Sequence, residues 1–218
     1  MQKQVIQTGD GSSSIFIPEM NVAYHSIHGA VQESNHVFIE AGLKPLLHQH
    51  FSINIFEMGF GTGLNALLSL QAAILHQQKI NYTTVELFPL TPEETIELNY
   101  VDENFMQLHR CDWEKDIVLN NHFIIHKTNQ SLLNYSTNKK FNLVYFDAFD
   151  PNTQPELWTK EIFEKLFLMM ELNGVLVTYS SKGTVRRAML EAGFSVEKIS
   201  GPPHKREIIR AKKMTENR

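Results

Sequence analysis

Residues 57–63 read Glu-Met-Gly-Phe-Gly-Thr-Gly, directly after an apolar run and directly before a helix-forming stretch. Glycines at alternating positions in a strand-to-helix turn let backbone N–H groups approach a ligand closely. Gly59 and Gly61 open the fingerprint of a dinucleotide loop, but Leu64 stands where its third glycine belongs and Gly63 comes one residue early. With Glu57 two places before Gly59, the spacing instead fits the loop that grips the amino-acid end of S-adenosylmethionine. A purely structural turn of three glycines is the competing reading. Cofactor contacts are therefore expected from Glu57, Gly59, Gly61 and Gly63.

Two carboxylates fall where strands are expected to end. Glu86 closes the run INYTTVE about two dozen residues past the loop, as the fingerprint expects. A carboxylate there accepts hydrogen bonds from both ribose hydroxyls, or else caps the next helix. Asp147 closes FNLVYFD, at the edge where donor and acceptor of a transferred group would meet. It can orient and deprotonate an attacking amine, the modest chemical help that an in-line displacement needs beyond positioning, or it caps the following helix. Asp150, Pro151 and Pro155 then shape an acceptor pocket, with Phe149 and Trp158 as candidate stacking surfaces, Trp158 being equally a core residue. Ser180-Ser181-Lys182-Gly183 reads as a substrate loop or a plain turn. His48-Gln49-His50 has no thiolate or carboxylate at matching spacing, so no metal is expected.

These residues need strand tips to stand on. INIFEMG (53–59), INYTTVE (80–86), HFIIHK (122–127), FNLVYFD (141–147) and GVLVTYS (174–180) read as strands, with FSVEKIS and REIIRAK closing the sheet around the turn GPPHK. Helices are expected over 63–78, from the Thr91 N-cap with Pro92 and a capping-box Glu94, over 156–172 until Asn173-Gly174, and over 184–192 until Gly193. Seven strands interleaved with helices describe an α/β, Rossmann-like, doubly wound sheet. VIQTGDGSSSIFI predicts a hairpin and residues 30–43 a helix stopping at Gly42, so residues 1–50 read as an extension packed on a catalytic unit over 51–218, together one globular body. There is no internal repeat.

A chain of 218 residues with 42% hydrophobic content is enough for one sizeable core. No apolar run approaches the roughly 18 residues of a membrane span, the N-terminus lacks a secretory stretch, and the single Cys111 excludes an internal disulfide. A cytoplasmic protein without membrane contact is the expectation. The net charge of −4 hides an asymmetry: residues 182–213 hold nine of the twenty Lys and Arg but three of the twenty-four acids, a local balance of +6 against −10 elsewhere. That section suits a polyanion, or is an ordinary solvated face.

Five stretches together, YHSIHGAVQESNHVFIEAGL (24–43), FEMGFGTGLNAL (56–67), VELFPLT (85–91), FDAFDPNTQPELWTKEIF (146–163) and YSSKGTVRRAMLEAGFSVEKISGPPHKREI (179–208), resemble the methyltransferase domain of the MnmC family. The resemblance covers nearly the whole chain and implies a class I S-adenosylmethionine-dependent fold. It also implies methylation of the exocyclic amine of 5-aminomethyl-(2-thio)uridine at the wobble position of tRNA, so tRNA is the expected partner. Gly59, Gly61 and Gly63 carry over as cofactor loop, Glu86 as ribose ligand and Asp147 as catalytic aspartate. Tyr24 and Glu33 belong to the motif that closes over the site, Lys205, Arg206 and Glu207 to the terminal strand. Phe149, Lys182, Arg186 and Arg187 complete the expected substrate-binding set. Where the family often carries an acidic adenine contact this chain reads HKTNQSLL, leaving Thr128, Asn129 or Gln130 for that role. The flavin-dependent oxidoreductase half of the bifunctional family members is not expected in this chain, so other enzymes would supply the aminomethyl group.

Three other readings compete. An aminopropyltransferase would use the same sheet but needs further carboxylates near Asp147; a non-catalytic tRNA-binding module would not need loop, Glu86 and Asp147 together; a NAD-linked oxidoreductase is disfavoured by Leu64.

Overall fold

A computed structural model describes residues 2–100 and 102–214. Its central sheet is built around β4 (Ser52–Met58), followed by α2 (Leu64–Leu75) and β5 (Lys79–Val85). Before it come β1 (Gln4–Gln7), β2 (Ser13–Ile17) and β3 (Val22–Ala23), an antiparallel three-stranded sheet, and the helix α1 (Ala30–Ser34). After β5 the chain forms α3 (Pro92–Ile96), α4 (Glu103–Arg110), β6 (Asp116–Asn120), β7 (Phe123–Thr128), β8 (Phe141–Phe146) and α5 (Lys160–Met169). It closes with β9 (Met170–Thr178), α6 (Gly183–Glu191), β10 (Ser195–Ser200) and β11 (Glu207–Lys212).

The sheet has the order β10-β11-β9-β8-β4-β5-β7-β6. Strands β7, β5, β4, β8 and β9 run parallel; β6 and β11 run opposite to them, and β10, antiparallel to β11, points the same way as the parallel set. From β4 the chain winds outward through β5 and β7, then returns to β8 on the other side of β4. The order reverses between β4 and β8, and in such sheets the crevice outside the strand tips at that point takes the ligand. The Gly59–Gly63 turn follows one of these strands and Asp147 the other.

Both faces are covered, which is why the strands are continuous apolar runs rather than alternating ones. Ile53, Ile55, Leu143, Tyr145 and Val177 pack on one side with Val37, Phe38, Ala66 and Leu70. Phe56, Val144, Phe146 and Leu176 pack on the other with Phe163, Phe167, Val185 and Met189. Each fully buried aromatic or aliphatic side chain contributes about 1.5–3 kcal/mol relative to exposure.

The seven expected strands are present, and β6 adds an eighth at the edge. No element is expected from the sequence over residues 103–120. There α4 is held by its Asp102 cap, which accepts from Phe105 N at 2.7 Å, and buries Phe105 and Leu108, while β6 is a short, half-exposed edge strand. The helix expected over 30–43 does not stop at Gly42: α1 runs into a π-helical stretch, Asn35–Leu43, and a 3₁₀ turn, Lys44–Leu46. A Cβ on Gly42 would lie 3.0 Å from Val177 Cγ2, so this glycine lets the helix lie close on the sheet. The helix expected over 156–172 is shorter. Asn173-Gly174 sits inside β9, where Asn173 has a φ of 64° and the pairing with β8 slips by several residues, so the pair makes a bulge rather than a helix stop.

Candidate active site

The turn after β4 is fastened from several sides. Gly59 N donates to Val85 O at 3.0 Å, and Gly59, Gly61 and Gly63 all have positive φ. At Gly63 a Cβ would lie 2.8 Å from His109 Nε2 and 3.0 Å from Phe60 Cζ; at Gly61 it would meet the Tyr24 ring at 3.3 Å. Left-handed backbone and crowding thus both demand glycine there. His109 Nε2 lies 3.0 Å from Thr62 O, and burial lowers the pKa of this imidazole to about 4, so it stays neutral behind the turn. Lys127, buried beneath, donates to Leu108 O and His109 O at 2.7 and 3.1 Å, closing the carbonyl end of α4.

Glu86 ties this turn to the tip of β5. One carboxylate oxygen accepts from Gly61 N at 2.9 Å, the other from Phe88 N at 2.8 Å. Two lone pairs remain for a ligand's hydroxyls. Around these groups opens a cavity of about 270 Å³ whose wall includes Gly59, Gly61, Asn65, Glu86, Gln130 and Asp147. Leu87, Phe88, Leu132 and Leu133 give it one apolar side, and Tyr24 and Phe149, edge to face at 5.3 Å, close another. A bend that a Cβ would fill, a held carboxylate and an apolar slot fit the amino-acid, ribose and adenine parts of S-adenosylmethionine.

Asp147 follows β8. Its Oδ2 accepts from Asn65 Nδ2 at 2.8 Å, and its pKa is raised to about 7. Burial is the main cause; the Asn65 hydrogen bond opposes it, Glu33 adds to it and Lys205 reduces it. The loop beyond is tied down by side chains. Tyr179 Oη donates to Ala148 O at 2.9 Å, Trp158 Nε1 to Phe149 O at 2.8 Å, and Lys182 Nζ binds Asp150 Oδ1 at 2.6 Å.

The expected substrate residues divide into three groups. Tyr24 and Phe149 line the cavity. Glu33 and Lys205 stand beside it, paired at 2.9 Å, with Glu33 also accepting from Ser26 N and the Lys205 ammonium 4.5 Å over the Tyr179 ring. They fasten the N-terminal extension to the end of the sheet. Lys182, Arg186, Arg187 and Arg206 lie outside the cavity wall, Arg187 and Arg206 exposed.

Four of the residues expected to contact the cofactor lie outside the cavity wall. Glu57 is wholly buried within β4 and absent from the cavity wall, because both faces of the sheet are covered there. Gly63 supports the turn from behind. Thr128 and Asn129 are also absent from the wall: Thr128 is buried and takes Glu86 N on its carbonyl, while Asn129 Nδ2 holds Glu86 O at 2.8 Å. The chain reaches the cavity one residue later, at Gln130 and Ser131. Trp158 is core.

Sequence reasoning did not single out Asn65, His25 or Lys3, which also line the cavity. Asn65 lies inside the GFGTGLN stretch, where the glycines draw the eye. His25, its pKa lowered to about 4 by burial, lies between Ser14 Oγ and Thr62 Oγ1 at 3.3 and 3.4 Å, and Lys3 pairs with Glu94 at 3.1 Å. Among the described residues no group of three or more His, Cys, Asp or Glu is arranged to hold a metal, and no helix is long and apolar enough to cross a membrane.

The profile of a family described as S-adenosyl-L-methionine-dependent methyltransferase matches residues 83–214. The chain is 29% identical over 217 residues to the tRNA 5-methylaminomethyl-2-thiouridine biosynthesis bifunctional protein MnmC of Pseudoalteromonas atlantica, covering 87% of this chain and 30% of that protein. Its identity to the MnmC of Burkholderia multivorans is also 29%, covering 88% and 32%. The chain thus spans about a third of the length of these curated relatives. Its fold matches the crystal structure of MNMC2 from Aquifex aeolicus with a TM-score of 0.80 at 24% identity, covering 96% of this chain and 70% of that one. Spermidine synthase from Thermotoga maritima follows at 0.60 and 12%, covering 98% and 73%.

Proposed function

The chain belongs to the S-adenosyl-L-methionine-dependent methyltransferases, and from that premise we propose that it methylates the exocyclic amine of 5-aminomethyl-(2-thio)uridine at the wobble position of tRNA, in the cytoplasm. S-adenosylmethionine supplies an electrophilic methyl group when bound. Gly59 and Gly61 would hold its amino-acid end, Glu86 its ribose, and Leu87, Phe88 and Gln130 would flank its adenine.

The observation that carries the reading is Asp147 at the strand tip, held by one amide and raised in pKa to about 7. An alkyl amine must lose a proton before its lone pair can attack. A carboxylate of raised pKa is a better proton acceptor than an ordinary one, and near neutral pH it still spends much of its time ionised. Asp147 orients the amine and takes its proton, while Tyr24 and Phe149 give the uracil ring aromatic walls. The names of the relatives support the choice of nucleoside.

An aminopropyl-transfer pocket would need acidic groups free near Asp147. Asp150 is held by Lys182 at 2.6 Å and Glu33 by Lys205 at 2.9 Å, which favours the smaller transfer. Incubating the protein with S-adenosylmethionine and tRNA carrying the aminomethyl nucleoside, then digesting and weighing the nucleosides, tests the proposal. A gain of one methyl on that nucleoside is expected; an unmodified nucleoside, or an aminopropyl adduct with the decarboxylated donor, overturns it.

A further inference from the structure

Beneath Asp147 lies a group of polar atoms that the cavity does not use. Both oxygens of Glu57, Asn65 Oδ1, Tyr82 Oη and Thr84 Oγ1 are buried without a hydrogen bond of normal geometry. They crowd together: burial, then the neighbouring Asp147 carboxyl, push the pKa of Glu57 well up, and Thr84, Tyr82 and Asn65 offset part of that. Such atoms are costly to leave unmatched in a dry interior, so a set of them beside a functional carboxyl calls for an explanation.

Asn65 stands between the two acids. Its Nδ2 donates to Asp147 Oδ2 at 2.8 Å while its Oδ1 faces the interior. A side-chain amide has donors on one side and an acceptor on the other, and nothing in its shape decides which way it points. An ionised Glu57 would compete with Asp147 for the same N–H groups, setting two anions against each other in low dielectric. A neutral Glu57 is instead a donor, and the buried Asn65 Oδ1 is an acceptor left without a partner among the described residues.

We infer that Glu57 and Asn65 are positioning residues: Glu57, as the neutral acid, donates to Asn65 Oδ1, which commits the Asn65 N–H to Asp147 Oδ2 and leaves Asp147 Oδ1 free for the acceptor amine. This rests on the reading that Asp147 faces that amine. The other groups that act on Asp147 are Glu33 and Lys205 from its flank, and it in turn acts on Tyr82 and Tyr179. Glu33 and Lys205 are paired with each other, and both tyrosines have pKa values raised by burial, so they stay neutral across the working range.

The test follows Asp147 by carbon NMR of labelled carboxyl groups in the ligand-free chain, together with kcat and KM for the amine against pH. Glu57→Gln keeps a donor for Asn65 and is expected to rescue the parent's titration and most of its kcat. Glu57→Met removes the donor. It is expected to raise the Asp147 titration by about one unit and lower kcat at neutral pH about tenfold, with KM little changed. Asn65→Asp should move the titration further in the same direction. A Gln variant as impaired as the Met variant would show that an ionised Glu57 is required and would overturn the inference, as would a Met variant that titrates and turns over like the parent. If Glu57→Met does not fold, Asn65→Ser with the same two readouts decides between these outcomes. Should the titrations shift as expected while the parent itself leaves the aminomethyl nucleoside unmodified, the relay stands and the choice of substrate falls.

Discussion

At the Gly59–Gly63 end the cavity wall is close backbone, with the Gly59 and Gly61 N–H groups already bonded to Val85 O and Glu86, and the Glu86 carboxylate, whose two oxygens are held by Gly61 N and Phe88 N. At the Asp147 end the polar group is one carboxyl with a single amide donor and a pKa raised to about 7. The first end is pre-formed, its carboxylate fastened by two backbone amides, as suits binding. The second keeps a group poised near neutral pH, which costs stability and is characteristic of a place where protons move. The first is also nearly contiguous in sequence, one turn plus one strand tip, whereas the second gathers Tyr24, Asn65, Asp147 and Phe149 from across the chain.

Removing the poised group should have the largest effect and should leave the settled end alone. Asp147→Ala is expected to lower kcat about 10²–10⁴-fold while the affinity for S-adenosylmethionine, measured by calorimetry, changes little. Equal losses in both would erase the division between the two ends. The converse substitution sharpens it. Gly61→Ala forces a side chain into left-handed backbone and toward the Tyr24 ring at 3.3 Å, so cofactor affinity should fall about tenfold or more, with Asp147 titrating as before. Glu86→Ala removes a charged acceptor from two amides as well as from the ribose, and a comparable loss of affinity is expected in the same calorimetry.

Stability against pH separates the ends without any ligand. The folded-state pKa of Asp147, about 7, lies above the ordinary carboxyl value of 3.8. Between those values the unfolded chain has lost the proton and the folded chain has kept it, so stability falls as pH rises from about 4 to about 7 and the full cost is present above that. Asp147→Asn, which can still accept from Asn65, should therefore raise Tm at pH 8 by an amount corresponding to roughly 1–3 kcal/mol, and the gain should vanish near pH 4. A gain independent of pH would assign the effect to packing. The smallest effect is expected outside the cavity. Charge reversal at Arg186 and Arg187 should weaken tRNA binding without altering cofactor affinity, and the slope of log affinity against log salt should become shallower by about 1 for each phosphate that these arginines neutralise.

Much of the sheet was legible because burial on both faces writes long apolar runs, and helices that start at a capping box or stop at a left-handed glycine announce themselves locally. The Thr91 capping box and Gly193, with its φ of 99°, sit as their residue types require. Where the local signal had two meanings the reading slipped. Gly42 and Asn173-Gly174 look like helix stops, yet one permits close packing on Val177 and the other bulges a strand. The elements at 103–120 are short and half-exposed, so the apolar residues they carry, Phe105 and Leu108 in α4 and Ile117 to Leu119 in β6, make too brief a pattern to read.

For the site, the sequence alone determined which residue types follow β4, β5 and β8, since a strand tip and the turn after it are set by a few adjacent residues. Only the tertiary structure decided that Glu57 is buried off the cavity wall, that Gln130 rather than Thr128 or Asn129 reaches the wall, and that Asn65 holds Asp147 from 82 positions away. Such pairings depend on how the strands are ordered and which way each side chain faces, and no spacing along the chain encodes the distance between two elements that meet only when the sheet is wound.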